Sequence, residues 1–114
     1  MKLLITGGRD YSNKSRLYAA LDSVHNKHTI TLLIQGGASG ADRLSKEWCV
    51  DRGVHCCEVM ALWNTHGKAA GHKRNATMLL LNPDGCVAFD GGRGTADMVA
   101  KCKKVGVKVM EVSG

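Results

Sequence analysis

A short apolar run from Lys2 to Thr6 stops abruptly at Gly7-Gly8. Leu17, Ala20, Leu21 and Val24, continued by His28, then recur at helical spacing and predict an amphipathic helix. Thr29 to Ile34 is β-branched and apolar and runs straight into Gln35-Gly36-Gly37, which reads as a second strand. Ala41, Leu44, Ser45, Trp48 and Cys49 fall on one face of a second helix, and Gly53 is placed to end it in a left-handed residue. Val54 to Val59 reads as a third strand although it carries His55 and Glu58. An irregular stretch from Ala61 to Gly71 precedes a helix through Arg74, Met78 and Leu81. Cys86 to Phe89 is a fourth strand that breaks at Asp90-Gly91-Gly92. Thr95, Met98, Val99 and Cys102 form a last helical stripe closed by Gly106, and Val107 to Val112 is the fifth strand. Strands alternating with helices through short connections predict an α/β fold: one Rossmann-like domain, a mainly parallel five-stranded sheet with helices on both faces. Right-handed crossovers make 3-2-1-4-5 the expected strand order.

With 114 residues the chain fits one domain. Folding at that size hides about 65% of the unfolded surface, enough for a single core. The longest apolar runs, such as Met78 to Leu81, are too short to cross a bilayer, so no membrane partner is expected. Only three apolar residues follow Lys2 before Thr6, too few for a signal-peptide core, and a cytoplasmic location is expected. Sixteen basic residues against ten acidic ones give +6, which favours anionic partners: nucleotides, nucleic acid or acidic surfaces. No run of five like charges occurs, so the excess is spread over the chain. Cys49, Cys56, Cys57, Cys86 and Cys102 are odd in number and contain no C-x2-C pair. That pattern indicates neither a disulfide framework nor a metal site, and no cofactor is expected.

The chemistry lies in where the glycines fall. Three of the first four strands end directly in a glycine-rich turn: Gly7-Gly8-Arg9, Gly36-Gly37-Ala38-Ser39-Gly40 and Gly91-Gly92-Arg93-Gly94. In a parallel sheet these turns converge on the C-terminal edge, where open α/β sheets bind ligands. Glycine admits a phosphate close to the backbone, and the following helix start offers unpaired N–H groups. Ser39 and Thr95 can add hydroxyl donors, and Arg9 and Arg93 can add charge. Tight β-α turns alone would also use Gly-Gly, but three on one edge, two with arginine, favour an anion site. The strict G-x-G-x-x-G and Walker A patterns are absent. Asp10 and Asp42 follow glycine turns and suit either a ribose hydroxyl or a helix cap. Asp97 falls in the first turn of its helix, where a carboxylate favours the dipole. Trp63 suits either stacking on a base or covering the core, and His66, Lys68 and His72 bring charge to the same stretch. Arg74 shares a helix face with Met78, so it points inward toward the mouth and needs a carboxylate or a bound anion.

These residues carry a resemblance. Gly7-Gly8-Arg9-Asp10-Tyr11, then Gly36-Gly37-Ala38-Ser39-Gly40-Ala41-Asp42, then Trp63 with His66-Gly67-Lys68-Ala69-Ala70-Gly71 and Arg74-Asn75, then Gly91-Gly92-Arg93-Gly94-Thr95-Ala96-Asp97-Met98, resemble the YspA-type (cpYpsA-related) members of the SLOG superfamily. The superfamily is Rossmann-like and includes Lonely-guy phosphoribohydrolases, DNA-binding DprA proteins and sensors of nucleotide-derived signals. The resemblance spans nearly the whole chain and implies a nucleotide-type ligand at the glycine edge, in a bacterial or phage-infected cell. Relative to the Lonely-guy pattern P-G-G-x-G-T-x-x-E, Asp90 replaces the Pro and Met98 stands in the place of the Glu, while Arg74 matches the catalytic Arg. Loss of that carboxylate removes the group that would stabilise oxocarbenium-like charge or activate water. Asp97, one residue earlier, is rotated by about 100° around the helix.

Three readings follow. The first is a module that binds a nucleotide or nucleotide-derived signal as a sensor or sequestering protein, without catalysis. The second is a small N-glycosidase or phosphoribohydrolase using Arg74 with Asp97. The third is single-stranded nucleic-acid binding, disfavoured because five aromatics, with Trp48 facing inward, leave little for successive bases to stack on. A homodimer or higher symmetric oligomer is expected, since the resembling families pair through helices.

Overall fold

Leu3, Leu4 and Ile5 are sealed from solvent on both sides, which marks the first strand, β1 (Lys2–Thr6), as the centre of the sheet. The computed structural model describes residues 1–114. Four further strands, β2 (Leu32–Gln35), β3 (His55–Glu58), β4 (Gly85–Phe89) and β5 (Lys108–Val112), complete a five-stranded sheet in the order β3-β2-β1-β4-β5. Every neighbouring pair is parallel, with Leu4 opposite both Ile34 and Cys86. The fold class and the strand order therefore stand as the hydrophobic pattern predicts. The chain builds outward from β1 to β3, then crosses back to β4 on the other side of β1. That reversal is the switch point, and it opens at the C-terminal ends of β1 and β4.

Alternate residues of each strand serve opposite faces. Leu3, Ile5, Leu33 and Phe89 meet Leu17 and Leu21 of α1 (Lys14–Lys27) and Trp48 of α2 (Ala41–Arg52). Leu4, Ile34 and Cys86 meet Met78 of α4 (Ala70–Leu79) and Met98 and Cys102 of α5 (Arg93–Lys104). Each large side chain so buried contributes roughly 1.5–3 kcal/mol. Trp48 is fully buried and donates its indole N–H to Asp22 Oδ1 at 2.9 Å, so the largest core residue leaves no polar atom unpaired. No helix is long and apolar enough to cross a membrane.

Several boundaries differ from the sequence reading. The second strand begins at Leu32, not Thr29, because Ile30 N–H donates to His25 Nδ1 (2.9 Å) and Thr31 N–H to Met1 O (2.8 Å). Those bonds hold residues 29–31 as a connection, and His28 is the C-cap of α1 instead of part of its stripe. The third strand narrows to His55–Glu58, and as an edge strand exposed along most of its length it tolerates both polar residues. The stretch from Ala61 to Gly71 is not irregular: a helical turn α3 (Trp63–His66) and a 3-10 turn (Gly67–Ala69) lead directly into α4. That helix ends at Leu79, short of Leu81, before Asn82 in the left-handed region and Pro83.

Candidate functional site

A cleft of about 400 Å³ opens over the switch point. Its floor is the end of β1, Ile5 to Arg9; one wall is Lys68, His72, Arg74 and Asn75, and the other is Gly92 to Thr95. The β4–α5 turn shapes the second wall. Helix α5 starts from Gly92 with no side-chain cap and no acidic residue in its first turn. Its first backbone bond runs from Ala96 N–H to Gly92 O, so the amides of Arg93, Gly94 and Thr95 have no intrahelical acceptor. A Cβ at Gly92 or Gly94 would meet nothing within 4 Å, so the space before those amides is open. Arg9, Lys68 and Arg93 are exposed around this mouth. Open amides at a helix start, ringed by cations, form an anion-binding arrangement.

The β2–α2 turn looks alike in sequence but is already filled. Asp42, buried in the first turn of α2, accepts from Gly36 N–H and Ala38 N–H, both at 3.2 Å. Desolvation pushes its carboxyl up to about 6, against the opposing pull of those amides and of Arg74. Gly37 N–H donates to Gln35 Oε1 at 2.5 Å, and Ser39 Oγ donates to Arg9 O at 3.1 Å, so this hydroxyl is committed inside the protein. A second cleft of about 310 Å³ lies over this turn, lined by Gly36 to Ser39, Arg9, Met60, Ala61, Trp63 and Arg74. The Arg9 guanidinium sits 5.3 Å over the Trp63 indole, at the border of the two clefts.

Arg74 does point inward, and its partners within the protein are a backbone carbonyl and a side-chain amide. Its Nη1 donates to Gly36 O at 2.6 Å and its Nε to Asn75 Oδ1 at 3.0 Å. Half-buried, it is held below the usual arginine range by desolvation, which nearby Asp42 partly offsets. Buried Asn75 donates in turn to Gly94 O (3.1 Å) and to Asp97 Oδ2 (3.0 Å), tying α4 to the start of α5. Asp97 also accepts from Lys101 Nζ at 2.5 and 2.6 Å and pairs with His72 Nδ1 at 3.0 Å. Desolvation raises its carboxyl, but the bonds from Lys101, Asn75 and His72 outweigh it and bring it down to about 2. Asp97 lies behind the wall and does not line the cleft. Met98, in the place of the Lonely-guy Glu, is sealed in the core beside Leu4 and Ile34.

Gly7, Gly8, Arg9, Asp42, Trp63, Arg74, Asn75, Gly92, Arg93, Gly94 and Thr95 thus meet at the first cleft, and Gly36, Gly37 and Ser39 at the adjoining one. Gly40 and Gly91 line neither of them. Gly40, at φ +75°, lets α2 start against the carbonyls of Gly8 and Arg9, and a Cβ on Gly91 would press on Thr95 and Gly8. Asp10 caps no helix; α1 is capped by Asn13, whose Oδ1 accepts from Arg16 N–H at 3.1 Å. Ala38 enters the sequence reading only as part of its glycine turn, and nothing in the residue types of Met60 and Ala61 distinguishes them. Lys68 and His72 carry a signal: their i, i+4 spacing puts both on one face once the stretch is read as helical.

A parallel sheet with glycine turns on its C-terminal edge and a cationic cleft at the switch point defines a Rossmann-like domain. The chain belongs to the YspA, cpYpsA-related SLOG family, which it matches over residues 1–66. It is 32% identical over 117 residues to the Gene 61 protein of Mycobacterium phage D29, an alignment covering 96% of this chain and 94% of that one. It also shares its fold with DNA processing protein A (DprA) from Streptococcus pneumoniae. The TM-score is 0.76 at 15% identity over 99% of this chain, which spans about half (50%) of that one.

Proposed function

We propose that the protein binds a nucleotide or nucleotide-derived ligand in the switch-point cleft, as a sensor or sequestering module, with a phosphate on the start of α5. The observation that carries this reading is the open β4–α5 turn, with three amides free of intrahelical acceptors and Arg9, Lys68 and Arg93 around them. Family membership and the Rossmann-like architecture support it. Binding is favoured over hydrolysis because Asp97 is locked in ion pairs outside the cleft and Arg74 already serves Gly36 O. A bound nucleic-acid strand is disfavoured because Trp63 is the one aromatic side chain lining either cleft, too little for a run of stacked bases.

Native mass spectrometry of the purified protein would weigh a retained ligand, and titration calorimetry with nucleoside phosphates would measure affinity. Gly92→Val is the decisive variant, because Gly92 has negative φ and open space around its Cβ, so the added bulk enters the cleft. Its affinity should fall at least tenfold while the fold is kept. Equal affinity in both proteins would move the phosphate elsewhere. Gly37→Val is a poorer test, since Gly37 sits at φ +73° against Glu58, where any side chain strains the backbone.

A further inference from the structure

The two clefts share Arg9, Ala38, Trp63 and Arg74, yet they differ in chemistry. The first has open amides and the cations Lys68 and Arg93. In the second the amides of Gly36, Gly37 and Ala38 are already bonded to Asp42 and Gln35, so the glycine turn that would cradle a phosphate there is occupied by the protein itself. What the second cleft offers is apolar surface. Met60 is 70% exposed and Trp63 48%, with Ala61 between them. A polarisable thioether beside an indole is a soft, flat surface suited to an aromatic ring. The Arg9 guanidinium over the indole fixes that ring at the border, and Arg74 lies where the two spaces join.

We infer that the second cleft is a nucleobase subsite: the ligand lies across Arg74, its phosphate on α5 and its base stacked on Trp63 beside Met60. This rests on the phosphate assignment above and sharpens the ligand class to an intact nucleoside phosphate. A sugar phosphate fills the first cleft only, and inorganic phosphate only its far end.

The chain contains two tryptophans, and Trp48 is fully buried, so ligand-dependent quenching of indole fluorescence reports on Trp63. The probes are the four common nucleoside 5′-monophosphates and ribose 5-phosphate, each titrated by fluorescence and by calorimetry. The tightest nucleotide should quench and bind about tenfold or more tighter than ribose 5-phosphate, the size of one base–aromatic stack. Trp63→Ala, a change at an exposed side chain, should lower the nucleotide affinity to that of ribose 5-phosphate, and Met60→Ser should lower it partway. Ribose 5-phosphate binding as tightly as every nucleotide, without quenching, would overturn the base subsite and leave the anion site standing. If no probe binds, the phosphate assignment itself fails, and the subsite with it.

Discussion

The β2–α2 and β4–α5 turns are near twins in sequence and opposites in chemistry. Each joins a buried parallel strand to a helix through paired glycines, and each helix begins at a glycine without a side-chain cap. The difference sits at the second residue of the helix, Asp42 in one and Gly94 in the other. Asp42 turns its carboxylate back onto the amides of Gly36 and Ala38, so that turn holds its own anion. Burial makes this anion costly, as its upward shift to about 6 shows. At Gly94 there is no side chain, and the amides around it face an open cleft. A glycine-rich turn on the binding edge is therefore not yet a site. One residue inside the helix decides whether the dipole is already satisfied.

The strongest way to break this difference is to copy Asp42 onto the other turn. Gly94→Asp places a carboxylate at the matching helical position, where a Cβ meets no obstruction. It should repel the ligand phosphate and compete for the α5 amides, lowering nucleotide affinity roughly a hundredfold, the scale of a lost charge-assisted hydrogen bond. Thermal stability should hold or rise, since an acidic residue in a first helical turn is favourable by about 0.3–1 kcal/mol. Calorimetry and a melting curve on the same sample check both halves. Retained affinity in a well-folded variant would show that α5 does not hold the phosphate.

A smaller effect separates the turns by pH. Because Asp42 titrates near 6 in the folded chain and near 3.8 when unfolded, the folded state keeps a proton that the unfolded state has released between those values. Stability should therefore rise as pH falls from 7 to 5, by about 1 kcal/mol for this group. Asp42→Asn keeps an acceptor for the two amides but does not titrate. Urea unfolding across that range should show the wild type gaining on the variant as pH falls. A parallel pH dependence in the two proteins would mean that Asp42 is ionised throughout.

Most of this architecture was legible from residue order. Strand runs such as Leu3-Leu4-Ile5 and the stripe Ala41, Leu44, Ser45, Trp48, Cys49 have the right period, and parallel order follows from their alternation. The converging glycine turns were legible for the same reason. The self-filling of one of them was not, because Asp42 as internal ligand and Asp42 as ligand contact have the same sequence. The partner of Arg74 was hidden likewise: backbone carbonyls such as Gly36 O carry no sequence signature. Residues 61–71 read as irregular because Gly67, at φ +55°, does break the chain between two short helical turns, and the register shared by Lys68 and His72 begins only after it.

The smallest expected effect concerns Asp97, the acidic residue of α5 that sits beyond its first turn. With its carboxyl held down to about 2, Asp97 is ionised and paired with Lys101 at every pH above about 4. The stability this pair contributes is lost only as pH falls from about 4 through 2, because the folded-state carboxyl is depressed below its unfolded value. Asp97→Asn should cost about 0.5 kcal/mol, the scale of a partly solvated pair spaced i, i+4. Since Asp97 does not line the cleft, nucleotide affinity should change less than about twofold, well inside the roughly tenfold that a lost ligand contact costs. Incubation with nucleoside 5′-monophosphates should release no free base from either protein. Base release by the wild type that vanishes in Asp97→Asn would make this carboxylate part of a hydrolytic site, and the module an enzyme.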